Sequence, residues 1–492
     1  MITLNKALPC GSRLVGSAVA AALLIAPSGC AGSNGASAER PDSTLSIGFG
    51  ENPEAGIQQT VRNVALEGLV RIDRNGRPGP WLADRWSVSE DGLTWRLQLR
   101  PGATFHNGQP ATASAVRDIV ARDLRQYVGP IFDDVREIRA VALHELEFSL
   151  KRRSSLLFEG LDLPLQGGDT LIGTGPFAAT AASPGEVEMR ANSDYYDGKP
   201  LIDRIVFKSY NSVRSAWADM LRGRLDMLYE VGSDALDSLR PSSQTSIFTF
   251  QRPYAYLLIL NVRARGLHDN RLRQSLNAAI DRNALVSEAL SDHGAPADGP
   301  VWPHHWAYGQ GLPRFRFQPR RPNSPEESVR FTCLLMTDRT HERLAVMVQQ
   351  QLRAVGVEMA FEQVPSDQFV ARVQVGDFEA ALGDMRMGPG IVQQYLLWHS
   401  MAPNNWGHFS SASVDAALDR IRSAPDDDAY RAGVADFQRA IIDDPPAIFL
   451  AWGERLRAVS TRFEVHSEPG RDALSTLRLW RPVADGRTTS PN

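Results

Sequence analysis

THERLAVMVQQQLRAVGVEMAFEQVPSDQFVARVQVGDFEAAL, residues 340–382, carries the periodicities that decide the fold class. Leu344, Met347, Val348, Leu352 and Val355 recur at the spacing of one helix face, and Gly356 stands where a helix C-cap is expected. Val357, Met359 and Phe361 then alternate with polar neighbours as in a strand. Pro365-Ser366-Asp367 opens a second helix carrying Phe369, Val370 and Val373, and Gly376 closes it before the run Phe378 to Leu382. This is a strand, helix, strand unit. Such units build a sheet with helices packed on its faces, and in open α/β sheets ligands bind in crevices beyond the strand ends.

Working outward, the apolar run Val329 to Leu335 predicts a buried strand in which Cys333 acts as a small hydrophobe. A helix is predicted over Asp269 to Val286, with Asp269 as N-cap and Leu272, Leu276, Ala279 and Ile280 as its apolar stripe. Arg271, Arg273, Asp281 and Arg282 then form a solvated or locally paired face. From Thr44 onward the chain alternates short β-like runs with amphipathic helices and shows no fixed-period repeat. The pattern is α/β.

At 492 residues with 43% hydrophobic and 22% charged content, the chain is long enough for two or three lobes. A formal net charge of -4 supplies none of the basic surface that phosphate neutralisation requires, so nucleic acid is not an expected partner. Lys6 and Arg13 precede the apolar segment Leu14 to Ala26, followed by small residues, which is the arrangement of an export signal. Two cleavage readings compete. Ser28-Gly29-Cys30 resembles a lipoprotein signal with Cys30 acylated, and Ala36-Ser37-Ala38 has the small-x-small pattern of ordinary cleavage. The first, which we carry forward, gives a signal peptide over 1–30 and a flexible spacer over 31–43, with the folded body exported, periplasmic or at the outer face of the cell membrane, and lipid-anchored. Cys333 then remains alone in the folded part, so no internal disulfide is expected.

Enzyme motifs do not assemble. His144-Glu145 and His341-Glu342 each lack the second histidine of a zinc-protease helix, and neither a Walker loop nor a G-x-S-x-G elbow is present. His304-His305 sits among Trp302 and Trp306, but adjacent side chains in an extended segment point apart. No metal, cofactor or catalytic residue is assigned.

The most specific stretches are Leu66-Glu67-Gly68-Leu69-Val70-Arg71, Pro80-Trp81-Leu82-Ala83-Asp84-Arg85-Trp86, Glu90-Asp91-Gly92-Leu93-Thr94-Trp95 and Leu99-Arg100-Pro101-Gly102-Ala103-Thr104-Phe105-His106-Asn107-Gly108. Gly173-Thr174-Gly175-Pro176-Phe177, Tyr195-Tyr196-Asp197-Gly198-Lys199-Pro200 and the segment Asn261 to Arg282 follow in order. Together they resemble the family 5 extracytoplasmic solute-binding proteins of ABC transporters, the group of oligopeptide, dipeptide and nickel binders. The resemblance implies a two-lobed periplasmic-binding-protein-like fold (class II, cluster C type) over 44–480, with an additional β-rich subdomain inserted in the first lobe. It places lobe I at about 44–68, 166–258 and 461–485, the inserted subdomain at about 69–165, lobe II at about 259–460, hinges near Leu260 and Val459, and a tail at 486–492. Gly92, Gly102 and Gly108 would serve turns, and Trp81, Trp86, Trp95 and Phe105 would pack the subdomain.

The resemblance also implies a monomer that holds a peptide or peptide-like ligand as an added strand in an interlobe cleft and hands it to permease subunits of an ABC importer. The first-lobe contact loop corresponds to Gly50-Glu51-Asn52-Pro53, with Glu51 and Asn52 as contacts; the hinge strand offers Tyr254 and Tyr256. On the second lobe the contact strand Gly383 to Gly388 offers Met385, Arg386 and Met387, and the loop beyond offers Trp398, Asn405 and Trp406. Peptide-binding relatives carry an Asp before a Pro in that strand, whereas this chain reads Met385-Arg386-Met387-Gly388-Pro389. Arg386 is expected instead to grip a ligand carboxylate through two parallel hydrogen bonds, with an ion pair to a neighbouring acid as its alternative role. The missing Asp leaves a second reading open, a protein that keeps the fold for a regulatory or envelope interaction.

Overall fold

The computed structural model describes residues 43–50, 53–168, 170–232, 243–309, 311–320 and 329–483. The strand-helix-strand unit forms as its periodicity requires. The carboxylate of Asp338 accepts from the backbone N–H groups of Thr340 and His341 at 3.0 Å, starting the helix Arg339–Ala354. Gly356 ends it at φ 81°, a conformation that a β-carbon would strain. Val329–Met336 and Val357–Val364 pair in parallel along their whole length, and Ala380–Arg386 pairs in parallel on the other side of the first. Leu344, Val348 and Leu352 bury against Phe331, Cys333 and Leu335 between helix and sheet.

The helix expected over 269–286 is broken. Asp269 caps Asn270–Ala278, but Asp281 starts a new turn by accepting from Ala284 N–H at 3.1 Å, and Leu285–Ala289 winds as a π-helix. The break turns Arg282 inward, where its Nε donates to the carbonyl oxygens of Phe449 and Ala297 at 2.8 and 3.1 Å. Arg273 is buried too, donating to Pro445 O at 2.9 Å and pairing with Asp444. Neither lies on a solvated face.

Among the described residues eleven strands form one sheet. Its path runs 357–364, 329–336, 380–386, 245–260, 447–460, 227–228, 44–49, 204–209, 186–191 and 177–183, with Gly294–Pro296 added beside 447–460. The long antiparallel pair Thr245–Leu260 and Ala447–Ser460 belongs to both lobes. Its 245–251 half joins the first-lobe core of Leu45, Ile47, Phe207 and Trp480, and its 255–260 half joins the second-lobe cores. A separate four-stranded antiparallel sheet, in the order Ala83–Val88, Thr94–Leu99, Glu145–Leu150 and Val135–Ala142, makes the inserted subdomain with the helix Ala113–Val128 against it. Gly92, Gly102 and Gly108 take φ between 73° and 80° at its turns, and Trp95 and Phe105 lie in its core. Trp81 instead lines the interlobe cleft.

The subdomain is inserted in the first lobe's sequence, yet it also packs on the second lobe, and the two share one apolar core. Polar groups lock this seam. Arg422 donates Nε and Nη2 to the buried Asp134 carboxylate, both at 2.7 Å, and Nη1 to Tyr395 Oη. The buried Glu159 carboxyl accepts from Tyr430 Oη and from Val392 N–H.

Candidate functional site

Between the lobes lies a cleft of about 1240 Å³, large beside the roughly 300–1,000 Å³ usual for small-molecule sites. Its floor is a flaw in the long strand pair. Gln251 faces Glu454 and Ala255 faces Trp452, so the three residues Arg252, Pro253 and Tyr254 stand opposite Gly453 alone. Proline lacks the N–H that a ladder needs, which is why the chain bulges there. The register break, not Leu260 or Val459, is where the two lobes meet along the ribbon: both of those residues are fully buried and paired, Leu260 with Ala380 and Val459 with Ser246. Pro253 O accepts from the N–H groups of Met387 and Gly388 at 2.9 and 3.1 Å, tying the bulge to the second lobe.

Tyr254 and Arg386 are register partners and both line the cleft. Arg386 Nη2 donates to Asp162 Oδ2 at 3.0 Å, and Tyr127 Oη donates to the other oxygen of the same carboxylate at 2.9 Å. Burial, the largest influence, would lower the Arg386 pKa, but Asp162 together with Tyr127 and Tyr254 outweighs it and the guanidinium stays charged. The ion-pair role is the one the structure shows. With its side chain 34% exposed, Arg386 also faces the open cleft.

The remaining expected contacts do not gather there. Tyr256 is 3% exposed, because strand alternation puts it on the sheet face covered by the helix Arg339–Ala354, with its ring edge-on to His341. Met387 and Trp398, 1% and 3% exposed, are second-lobe core, the indole donating to Gln394 Oε1 at 3.0 Å. Met385 and Trp406 are half-buried against the same core. Asn405 folds back on its own loop, donating to Phe409 O at 2.6 Å and accepting from Phe409 N–H at 2.9 Å; its neighbour Asn404 lines the cleft. Glu51, Asn52 and Cys30 lie outside the described residues.

Beyond Arg386, the cleft's arginines carry no mark in the family resemblance. Arg457, 3% exposed, makes a double hydrogen bond to Asp472 at 2.8 and 3.2 Å with its guanidinium 3.8 Å from the Tyr229 ring centroid. Arg252 stacks at 4.0 Å on Tyr254. Arg252 and Arg455 approach the Asp384 carboxylate at 3.5 and 3.8 Å, and Arg455 approaches Glu230 at 3.9 Å. Two signals in the sequence mark them: a proline inside a β run, and the alternation Arg455-Leu456-Arg457 at the end of a strand. Among the described residues no three His, Cys, Asp or Glu side chains converge as a metal site. His304 meets Gln251 at 2.8 Å, whereas His305 stacks on Tyr430, so the adjacent pair diverges.

Two lobes joined by a continuous ribbon around a polar cleft define a solute-binding protein by their architecture. Residues 77–407 match the model of the bacterial extracellular solute-binding proteins, family 5 middle, and the chain belongs to that family. It is 22% identical over 475 residues to the oligopeptide-binding protein AppA of Bacillus subtilis, covering 85% of this chain and 87% of that one. It is 25% identical over 450 residues to the glutathione-binding protein GsiB of Pectobacterium atrosepticum, covering 82% and 86%. The crystal structure of NikZ from Campylobacter jejuni in complex with Ni(L-His) superposes with a TM-score of 0.77 at 20% identity, covering 90% of this chain and all of that one.

Proposed function

We propose that this protein is the substrate-binding component of an ABC importer, capturing a peptide or peptide-like solute between its lobes and delivering it to the permease. The observation that carries the reading is the cleft of about 1240 Å³ whose floor is the bulge in the two strands joining the lobes. A solute resting on Arg252 to Tyr254 touches the element that must bend when the lobes part, so binding and closure are one event. The names of the relatives AppA and GsiB, binders of oligopeptide and glutathione, support a peptide-like cargo. Tyr254 and Arg386 contribute to the binding surface. The protein works as a monomer outside the cell membrane, tethered through an acylated Cys30.

Titration of the purified protein with di-, tri- and oligopeptides, glutathione and nickel chelates, followed by thermal unfolding, tests this. A cognate solute at a hundredfold excess over Kd adds about 3 kcal/mol of apparent stability. If every solute leaves the transition unmoved, transport fails as the reading, and an envelope interaction role takes its place.

A further inference from the structure

We propose that the cargo carries an aromatic side chain, received in a side chamber that lies beyond Trp81 and Tyr229 at the edge of the cleft. The inference rests on the import reading and adds a specificity subsite to it.

The first observation is a second volume. Between the first lobe and the root of the inserted subdomain lies a chamber of about 480 Å³, and Asn63, Leu66, Trp81, Tyr229 and Asp472 line both it and the cleft. The two volumes therefore meet at those side chains. By itself the chamber falls within the roughly 300–1,000 Å³ of small-molecule sites, ample for one ring.

The second observation is that rings at the junction are already held in place. Tyr229 stacks on Phe49 with centroids 4.2 Å apart, and the Arg457 guanidinium lies 3.8 Å from the Tyr229 centroid. The Trp81 carbonyl accepts from Arg100 Nε at 2.7 Å. Inside the chamber the Tyr195 and Tyr196 rings lie 4.6 Å apart, and Val64, Leu66, Leu474 and Leu477 supply apolar wall. Side chains fixed in advance lose little freedom when a further ring packs on them.

The third observation is that charged groups lining the chamber answer one another. Glu67 accepts from Tyr195 Oη at 2.6 Å, Tyr196 Oη at 2.9 Å and Thr174 Oγ1 at 2.7 Å. Arg478 pairs with Asp197, Arg471 with Glu468 at 3.1 Å, and Arg457 with Asp472 at 2.8 Å. A charged arm entering here breaks one of these pairs or leaves water without gaining a partner, whereas an uncharged ring breaks none.

The test is calorimetry on the full exported chain with alanine peptides of three to five residues, in which each position in turn becomes phenylalanine, tyrosine, lysine or glutamate. At one position the aromatic residues are expected to lower Kd about tenfold or more relative to alanine, while lysine and glutamate leave it unchanged or raise it. Trp81→Ala should cut that preference to less than about threefold. Ser475→Trp, at an exposed residue lining the chamber, should fill it and remove the preference as well. Equal binding of aromatic and alanine peptides at every position, or a preference that Ser475→Trp leaves in place, overturns the chamber and leaves import intact. If no peptide in the set binds, peptide import itself falls and the inference with it.

Discussion

Glu159 is a buried carboxyl group, held between Tyr430 and Val392 at the seam of the inserted subdomain and the second lobe. Burial pushes its pKa up from the ordinary 4.5 to about 7. A raised acid binds its proton more tightly folded than unfolded, so the contribution of Glu159 to stability is full below pH 4.5 and is lost as pH rises through 7, about 3 kcal/mol in all. Urea unfolding across pH 4 to 8 should show that decline, and Glu159→Gln should flatten it and be the more stable protein at pH 8. An unchanged slope would show that the carboxyl carries its charge in the fold. Asp134 is the other buried carboxyl group of the seam, accepting from Arg422 Nε and Nη2 at 2.7 Å. Arg422→Ala should cost about 3 kcal/mol in the same assay, Arg152 and Ser154 remaining as its partners. Residues were the least legible scale. Tyr254 and Tyr256 look alike in sequence, yet one stands in the bulge and lines the cleft while the other lies under the helix Arg339–Ala354 as core. No periodicity reports which polar strand ends face each other across 200 residues, as Arg252 and Arg455 do.

Elements were legible wherever local chemistry sets them. The unit 340–382 formed as its apolar spacing and its glycines demanded, since cap and stripe act within one turn of each other. Asp338→Ala tests the cap: it removes the acceptor for two backbone N–H groups and should lower the urea midpoint by an amount worth about 1–2 kcal/mol. No change would mean that tertiary packing alone holds the first turn. The segment 269–286 is governed by contacts that are not local. Its apolar stripe continues past Ala278, but Arg282 finds backbone carbonyls of distant strands once the helix breaks, and such partners leave no local mark.

At the scale of the molecule, order along the chain pointed to two lobes and an inserted sheet, while the seam between that sheet and the second lobe went unseen because its members lie hundreds of residues apart. Arg386 to Asp162 is its cleft-side contact. Arg386→Gln should loosen that seam and lower stability by about 1 kcal/mol, its exposure limiting the effect. Urea unfolding would report this as a lower midpoint; an unchanged midpoint would show that the shared apolar core alone holds the seam. The bulge at Arg252 to Tyr254 has a consequence for descent. On the proposed reading, a change of diet made through those side chains also alters the spring on which the jaws turn, so appetite and tempo are inherited together.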